Sequence, residues 1–208
     1  MDGKAASPIP KTLAFTTPPE AGSKKKFSLA FGACSRFVPQ AEPIWKVKNF
    51  EVFAQNWNNP SYAGGKEQPG CFFDFTIGDV HFIMIDGRYY RNSKGKNMLG
   101  EFQQTWLLNT LAASKSQFKV LCSGTLWTEK ADKKGRDSWQ GFSKDRDEIF
   151  ALIRDRKIPG VFLLSGDRHR HEMFKMEFNA GYPLYEFETA KVTNIHTHDA
   201  NPARSLFL

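Results

Sequence analysis

Strand-like patterns of hydrophobic and polar residues recur along the chain. Residues 71–77 alternate between apolar and polar positions, 80–85 are almost wholly apolar, and Gly78-Asp79 lies between them. This arrangement predicts a β-hairpin. The runs 118–122 and 161–164 are apolar with little alternation. That pattern is typical of strands buried on both faces in the middle of an α/β sheet.

Helical spacing separates these strands. Apolar residues recur every three or four positions over 98–113 and over 143–156, and Ser143 is a suitable N-cap. Segments 172–178 and 183–188 are expected to form an antiparallel pair. Helices that alternate with buried strands indicate an α/β fold. The predicted buried side of the first helix carries Leu99, Phe102, Trp106, Leu107 and Leu111.

The N-terminal part of the chain is less regular. Residues 1–26 contain four prolines and end in three lysines, and we interpret them as a flexible leader with a solvated lysine run. A short alternating strand follows at 27–31, and 48–57 has helical spacing. The 208 residues suffice for one sizeable domain, which we place at 27–208.

The composition narrows the choice of partners. The formal net charge of +7 favours anionic partners, and phosphate esters fit as well as nucleic acid does. Three cysteines, an odd number, argue against a disulfide framework. We expect no membrane partner, because no apolar run reaches the length of a membrane span. The N-terminus also lacks the apolar core of a signal peptide.

Reactive side chains gather where the predicted strands end. The run at 161–164 passes into a loop that contains Asp167 and His169. Proteins of the α/β class place their chemistry at such C-terminal strand ends. A carboxylate and an imidazole two residues apart can converge on one metal ion such as zinc, iron or manganese. The sequence therefore predicts that Asp167 and His169 bind a metal.

Two other strand ends carry candidate groups. Cys34 is either a metal ligand or a small buried apolar residue. Arg88 either pairs with Asp86 or faces a phosphate group with its planar guanidinium. The remaining histidines of interest are a core or edge residue inside the hairpin and a weaker metal-binding pair near the C-terminus: His81, then His196 and His198.

Four blocks of sequence resemble the alkaline phosphatase D family, a branch of the calcineurin-like metallophosphatases. They occur in the family's order, and the resemblance covers nearly all of the chain from Phe27. The leader resembles the end of a β-domain that precedes the catalytic domain in that family. The blocks are FGACS at 31–35, GDVHFIMIDGRYYR at 78–91, MLGEFQQTWL at 98–107 and LSGDRH at 164–169.

The resemblance implies a four-layer α/β/β/α sandwich that hydrolyses phosphate mono- and diesters. Two metal ions in such enzymes neutralise the phosphoryl oxygens and activate a hydroxide. Cys34 matches the family's metal-binding cysteine, and Asp167 and His169 match the ligands of its Ser-Gly-Asp-x-His block. Arg88 matches the arginine of its Asp-x-Arg block. Arg88 and His169 are thus the predicted catalytic residues, and iron, calcium, zinc or manganese are the candidate metals.

The chain departs from the family between the cysteine block and the hairpin. Relatives carry there a Gly-Asp-x-x-Tyr block, which supplies the carboxylate that bridges the metals, and a Trp-Asp-Asp-His-Asp block. Neither block is present, which indicates an internal deletion near residues 45–48. Two adjacent cations without a bridging carboxylate repel each other. We therefore expect the remaining ligands to hold at most one metal ion.

Three functions follow from these observations. The chain is a metal-dependent phosphoesterase that acts on phosphate-ester small molecules, or a truncated, inactive remnant of that family. A basic nucleic-acid-binding module is the weaker alternative, because the aromatic residues have a core-like pattern. In the first case nucleic acid is a partner only as a substrate. Relatives are typically exported, whereas this sequence shows no export signal, so its compartment and oligomeric state stay open.

Overall fold

The structure is a computed structural model that describes residues 20–24, 54, 59, 61–129, 137–169, 171–178 and 180–189. Several predictions fall outside the described residues. They concern the 27–31 strand, most of the 48–57 helix, Cys34, His196 and His198.

Six strands form one mixed sheet. They are β1 Phe73–Ile77, β2 Val80–Ile85, β3 Phe118–Ser123, β4 Val161–Ser165, β5 His171–Met176 and β6 Leu184–Thr189. Their order across the sheet is β1-β2-β3-β4-β6-β5. Strands β2, β3, β4 and β6 are parallel, whereas β1 and β5 run antiparallel to their neighbours. The C-terminal ends of the four parallel strands therefore meet at one edge of the sheet.

This sheet confirms the predicted hairpin, the two internal strands and the C-terminal antiparallel pair. As predicted, β4 lies inside the sheet, between β3 and β6. Its predicted burial on both faces is wrong in part, because Phe162 and Leu164 are only half-buried while Val161 and Leu163 are buried. The cause lies in the next layer, since the helices pack on the Val161 side.

Two helices cover that side of the sheet. They are α1 Gly100–Ala113 and α2 Ser143–Asp155, the second preceded by a 3-10 helix at Trp139–Phe142. The core between helices and sheet contains both aliphatic and aromatic side chains, and their burial provides most of the favourable energy of folding. Its central members include Ile83, Leu107, Leu111, Leu121, Ile149, Ile153, Val161 and Leu163.

Two details of the helices differ from the prediction. Phe102 is 44% exposed, whereas Gln103, beside it, is fully buried. Gln103 is buried because its amide group accepts the N–H of Asp86 at 2.8 Å and donates to the Asp86 carbonyl at 2.9 Å. Ser143 is the first helical residue of α2 rather than its N-cap, and the cap position belongs to Phe142, without a side-chain hydrogen bond.

The opposite face of the sheet is apolar and aromatic. Phe75 stacks on Phe82 with ring centroids 5.1 Å apart, and Phe162 lies between Phe118 and Phe187. A half-buried face of this kind fits the inner side of a two-sheet sandwich. The fold class is α/β, and the described residues account for one sheet and one helix layer of an incomplete α/β/β/α sandwich.

A tight turn aligns β4 with β3. Gly160 has a φ of 69°, and a Cβ atom there would lie 2.3 Å from the Gln117 carbonyl oxygen. The Gly160 carbonyl in turn accepts the N–H of Lys119 at 2.9 Å. Only glycine fits this close approach, so the turn sets where β4 begins.

Candidate active site at the C-terminal edge of the sheet

The loop after β2 is organised by Asp86. One oxygen of its carboxylate accepts the backbone N–H groups of Arg88 and Tyr89 at 2.9 and 3.0 Å, and the other accepts that of Cys71 at 2.8 Å. Asp86 is therefore occupied by the backbone. The predicted alternative in which Asp86 pairs with the Arg88 side chain is wrong, because Arg88 pairs with Asp137.

The Arg88–Asp137 pair joins the loops that follow β2 and β3. Arg88 Nη1 lies 2.8 Å from Asp137 Oδ1, and Arg88 Nη2 lies 3.1 Å from Oδ2. A second guanidinium, that of Arg91, also donates to Oδ1 at 2.7 Å. Burial raises the pKa of Asp137, but the hydrogen bonds and charges of Arg88 and Arg91 outweigh it and bring the pKa below its usual value. Asp137 is thus held ionised between two cations.

The loop after β4 has an unusual backbone. Asp167 and His169 both adopt positive φ angles, 84° and 57°. Aspartate and histidine tolerate this left-handed region better than most residues, yet it still costs on the order of 1–3 kcal/mol. Such conformations cluster at functional sites. The neighbouring Arg168 N–H donates to Glu188 Oε1 at 3.2 Å, which ties the loop to the end of β6.

Charges on neighbouring loops affect the pKa of Asp167. Burial raises the pKa of Asp167, and the nearby Asp137 carboxylate raises it further. Arg88, His169 and Arg168 act in the opposite direction without reversing the shift. A cation near Asp167 would favour its ionised form.

A buried glutamate, Glu186, connects two of the segments next to the site. Glu186, on β6, is fully buried and accepts the N–H groups of Trp127 and Thr128, each at 2.9 Å, and the Ser165 hydroxyl at 2.5 Å. It therefore fastens the loop after β3 to the end of β4. Burial raises the pKa of Glu186 to about 7, against the lowering effect of these hydrogen bonds.

Three of the four predicted site residues, Arg88, Asp167 and His169, lie in loops that follow the parallel strands β2 and β4. Burial raises the pKa of Asp167, the charges of Arg88 and His169 oppose that shift, and Cys34 lies outside the described residues. Within the described ranges no group of three His, Cys, Asp or Glu side chains is arranged to hold a metal ion. The two described candidate ligands, Asp167 and His169, would therefore need a third donor, for which Cys34 is the predicted candidate.

The environments of Cys71, Cys122 and His81 favour structural roles over metal binding. Burial raises the pKa of Cys71 to about 12, helped by Asp86, and burial alone raises that of Cys122 to about 12. Neither is a ready thiolate ligand at neutral pH. His81 is buried, with Nδ1 2.8 Å from Ser114 Oγ and Nε2 2.9 Å from Asp74 Oδ2. It is the core or edge histidine that the sequence predicted.

Sequence reasoning missed Asp137 and Glu186. Asp137 lies in a polar stretch without periodicity, and nothing local marks it. Glu186 had a signal, because it alternates with the aromatic residues Tyr185 and Phe187 in a strand. A charged residue on the helix-facing side of a strand, next to buried Leu184, requires partners in the fold.

No described helix combines the length and the apolar character needed to cross a bilayer.

The fold and the site define a class. Four parallel strands of an α/β sheet end at one edge, and a carboxylate, an imidazole and a paired arginine lie in the loops beyond it. This is the arrangement of an α/β protein with a strand-end polar centre.

Comparison with known proteins gives the family. The sequence profile of the PhoD-like phosphatases matches residues 54–205, and the chain belongs to that family. It is 26% identical to alkaline phosphatase D of Bacillus subtilis (strain 168) over 118 residues, which cover 46% of this chain and 20% of the relative. The solved structure titled "Structure of PhoD" has a similar fold, with a TM-score of 0.54, 20% identity, and coverage of 68% of this chain and 33% of that one. The chain thus spans about a fifth of the curated relative and a third of the solved structure.

Proposed function

We propose that this chain hydrolyses phosphate esters with the help of a metal ion bound by the loop after β4. Membership of the PhoD-like phosphatases supports phosphate-ester chemistry. The observation that carries the proposal is the placement of Asp167, His169 and Arg88 in loops that follow β4 and β2, two parallel strands that end at the same edge of the sheet. It combines donors suited to a metal with a guanidinium suited to a phosphate.

Each side chain has a separate task in this proposal. Asp167 and His169 would hold the metal, together with Cys34, and the bound ion would supply Lewis-acid activation of a water molecule. Arg88 would bind phosphate oxygens with the N–H groups that its pair with Asp137 leaves unused, and would orient the ester. The Asp86 carboxylate fixes the backbone of the Arg88 loop, so Arg88 starts from a defined position.

Metal analysis combined with an activity assay tests the proposal. The purified chain is analysed for bound iron, calcium, zinc and manganese, and hydrolysis of bis(p-nitrophenyl) phosphate is followed before and after treatment with a chelator. We expect bound metal and turnover that the chelator removes. Metal-free protein without turnover under any of these ions would instead support the inactive remnant. The lack of a third described ligand keeps that alternative in place.

Replacement of Arg88 by lysine tests the phosphate contact. Lysine keeps the positive charge but cannot form two parallel hydrogen bonds to a phosphate. We expect kcat/KM for the diester to fall roughly tenfold, which corresponds to about 1.4 kcal/mol of lost binding. Arg154→Lys is the matched control, because Arg154 pairs with Asp155 on the surface. Equal effects of the two substitutions would contradict a role for Arg88 at the phosphate.

A further inference from the structure

The Asp137 carboxylate connects two arginines with different surroundings. Arg88 grips it with both terminal nitrogens, at 2.8 and 3.1 Å, while its side chain stays 59% exposed. The Arg91 side chain is only 11% exposed. Its Nε donates to the Gly87 carbonyl at 2.8 Å, and its guanidinium lies 5.2 Å from the centre of the Phe142 ring. Arg91 is therefore fixed, and Arg88 is the solvent-facing partner.

Asp137 is also fixed from its own side. Its backbone carbonyl accepts the Thr125 hydroxyl at 2.5 Å, and Thr125 is buried in the loop after β3. Two residues on, the Trp139 N–H donates to the Leu126 carbonyl at 2.9 Å. The carboxylate thus has a position set by the loop after β3 as well as by Arg91.

We propose that Asp137 is a positioning residue that orients Arg88 toward the substrate phosphate, with Arg91 as its anchor; this inference rests on the proposed function. A bidentate pair with Asp137 uses two of the five N–H donors of Arg88, and the rest stay available to an anion. The side chains of Asp137, Arg88 and Arg91 together carry one net positive charge, which the nearby Asp167 carboxylate offsets.

Pre-orientation has a measurable consequence. A free arginine side chain on the surface samples many rotamers, and ordering it on binding weakens affinity. Asp137 orders Arg88 before the anion arrives. Loss of the carboxylate should therefore weaken phosphate binding roughly three- to tenfold, the range expected for immobilising one long side chain. The effect should appear in KM and in phosphate affinity, and kcat should change little.

A double-mutant cycle tests the inference. Affinity for inorganic phosphate is measured by calorimetry, and KM and kcat for the diester by steady-state kinetics, for D137N, R88A and the double variant. We expect D137N to weaken phosphate binding and raise KM three- to tenfold, with no further effect once Arg88 is absent. Asp155→Asn, in the exposed pair with Arg154, is the matched control and should change neither quantity.

Each outcome decides. Equal loss with and without Arg88, or no loss, overturns the inference, because Asp137 would then act on the fold alone. If D137N does not fold, Arg91→Lys replaces it, since lysine keeps the charge but cannot keep both the Nη1 contact to Asp137 and the Nε bond to the Gly87 carbonyl. Phosphate binding with the expected coupling but no turnover would refute the proposed function and leave the inference intact. Turnover without the coupling between Asp137 and Arg88 would support the proposed function and refute the inference. A wild-type chain that binds no phosphate would refute the proposed function and the inference together.

Discussion

Replacement of His169 by asparagine is expected to lower diester hydrolysis at least about 100-fold, the scale seen when one stabilising group is removed from an active site. The physical reason is the loss of a metal donor. Even partners outside the first coordination sphere contribute 10–100-fold to metal affinity, so a direct ligand should contribute more. Asparagine suits the site because it tolerates the positive φ of 57° at this position. Metal content should fall together with activity.

His171→Asn is the matched control for this substitution. His171 lies two residues further on, is exposed, and has Nδ1 2.7 Å from the Thr189 hydroxyl. Neither metal content nor turnover should change in this variant. If H169N retains its metal and its rate, His169 is not a ligand and the metal site proposed here is wrong. Asp167→Asn, which is also compatible with a positive φ, should behave as H169N does.

Glu186→Leu is expected to cost the fold about 3 kcal/mol or more. The substitution leaves the N–H groups of Trp127 and Thr128 without their acceptor, and each unsatisfied buried donor costs about 1–3 kcal/mol. Chemical denaturation measures the loss as a lower midpoint with an unchanged slope. Glu177→Gln is the control, since Glu177 pairs with Lys175 on the surface, and this substitution should change the free energy of unfolding by less than about 0.5 kcal/mol.

Glu186 should also make the free energy of unfolding depend on pH. Burial raises the pKa of folded Glu186 from 4.5 to about 7, so the folded state binds the proton more tightly than the unfolded state does. Its stabilising contribution is complete below the unfolded pKa and is lost as pH rises through the folded one. Between pH 4.5 and about 7 the free energy of unfolding should fall by on the order of 3 kcal/mol from this group. The slope should disappear in Glu186→Gln, and an equal slope in that variant would assign it to other groups.

Local chemistry made much of the fold predictable. The sequence predicts the β1–β2 hairpin because apolar and polar residues alternate before Gly78-Asp79 and an apolar run follows it. The strand β4 is bounded by Pro159-Gly160, where the backbone can only be glycine. These signals lie within a few residues of one another, so the sequence alone carries them.

The site was predictable only where its residues lie at strand ends. Asp167 and His169 follow a recognisable apolar run, whereas Asp137 meets Arg88 across 49 positions and Glu186 meets Trp127 across 59. The fold brings such distant residues into contact, and no local sequence pattern indicates which residues will meet. The burial of Gln103 was missed for the same reason, because its amide serves a backbone segment 17 positions away.

The parallel indole rings of Trp127 and Trp139 have an optical consequence. Their centroids are 4.4 Å apart with 4° between the ring planes. Because the rings are stacked, their ultraviolet electronic transitions should couple. Trp139 lies two residues after Asp137. Separation of the rings should therefore change tryptophan emission and near-ultraviolet dichroism, which gives the molecule a built-in reporter of whether the arginine-binding aspartate is in place.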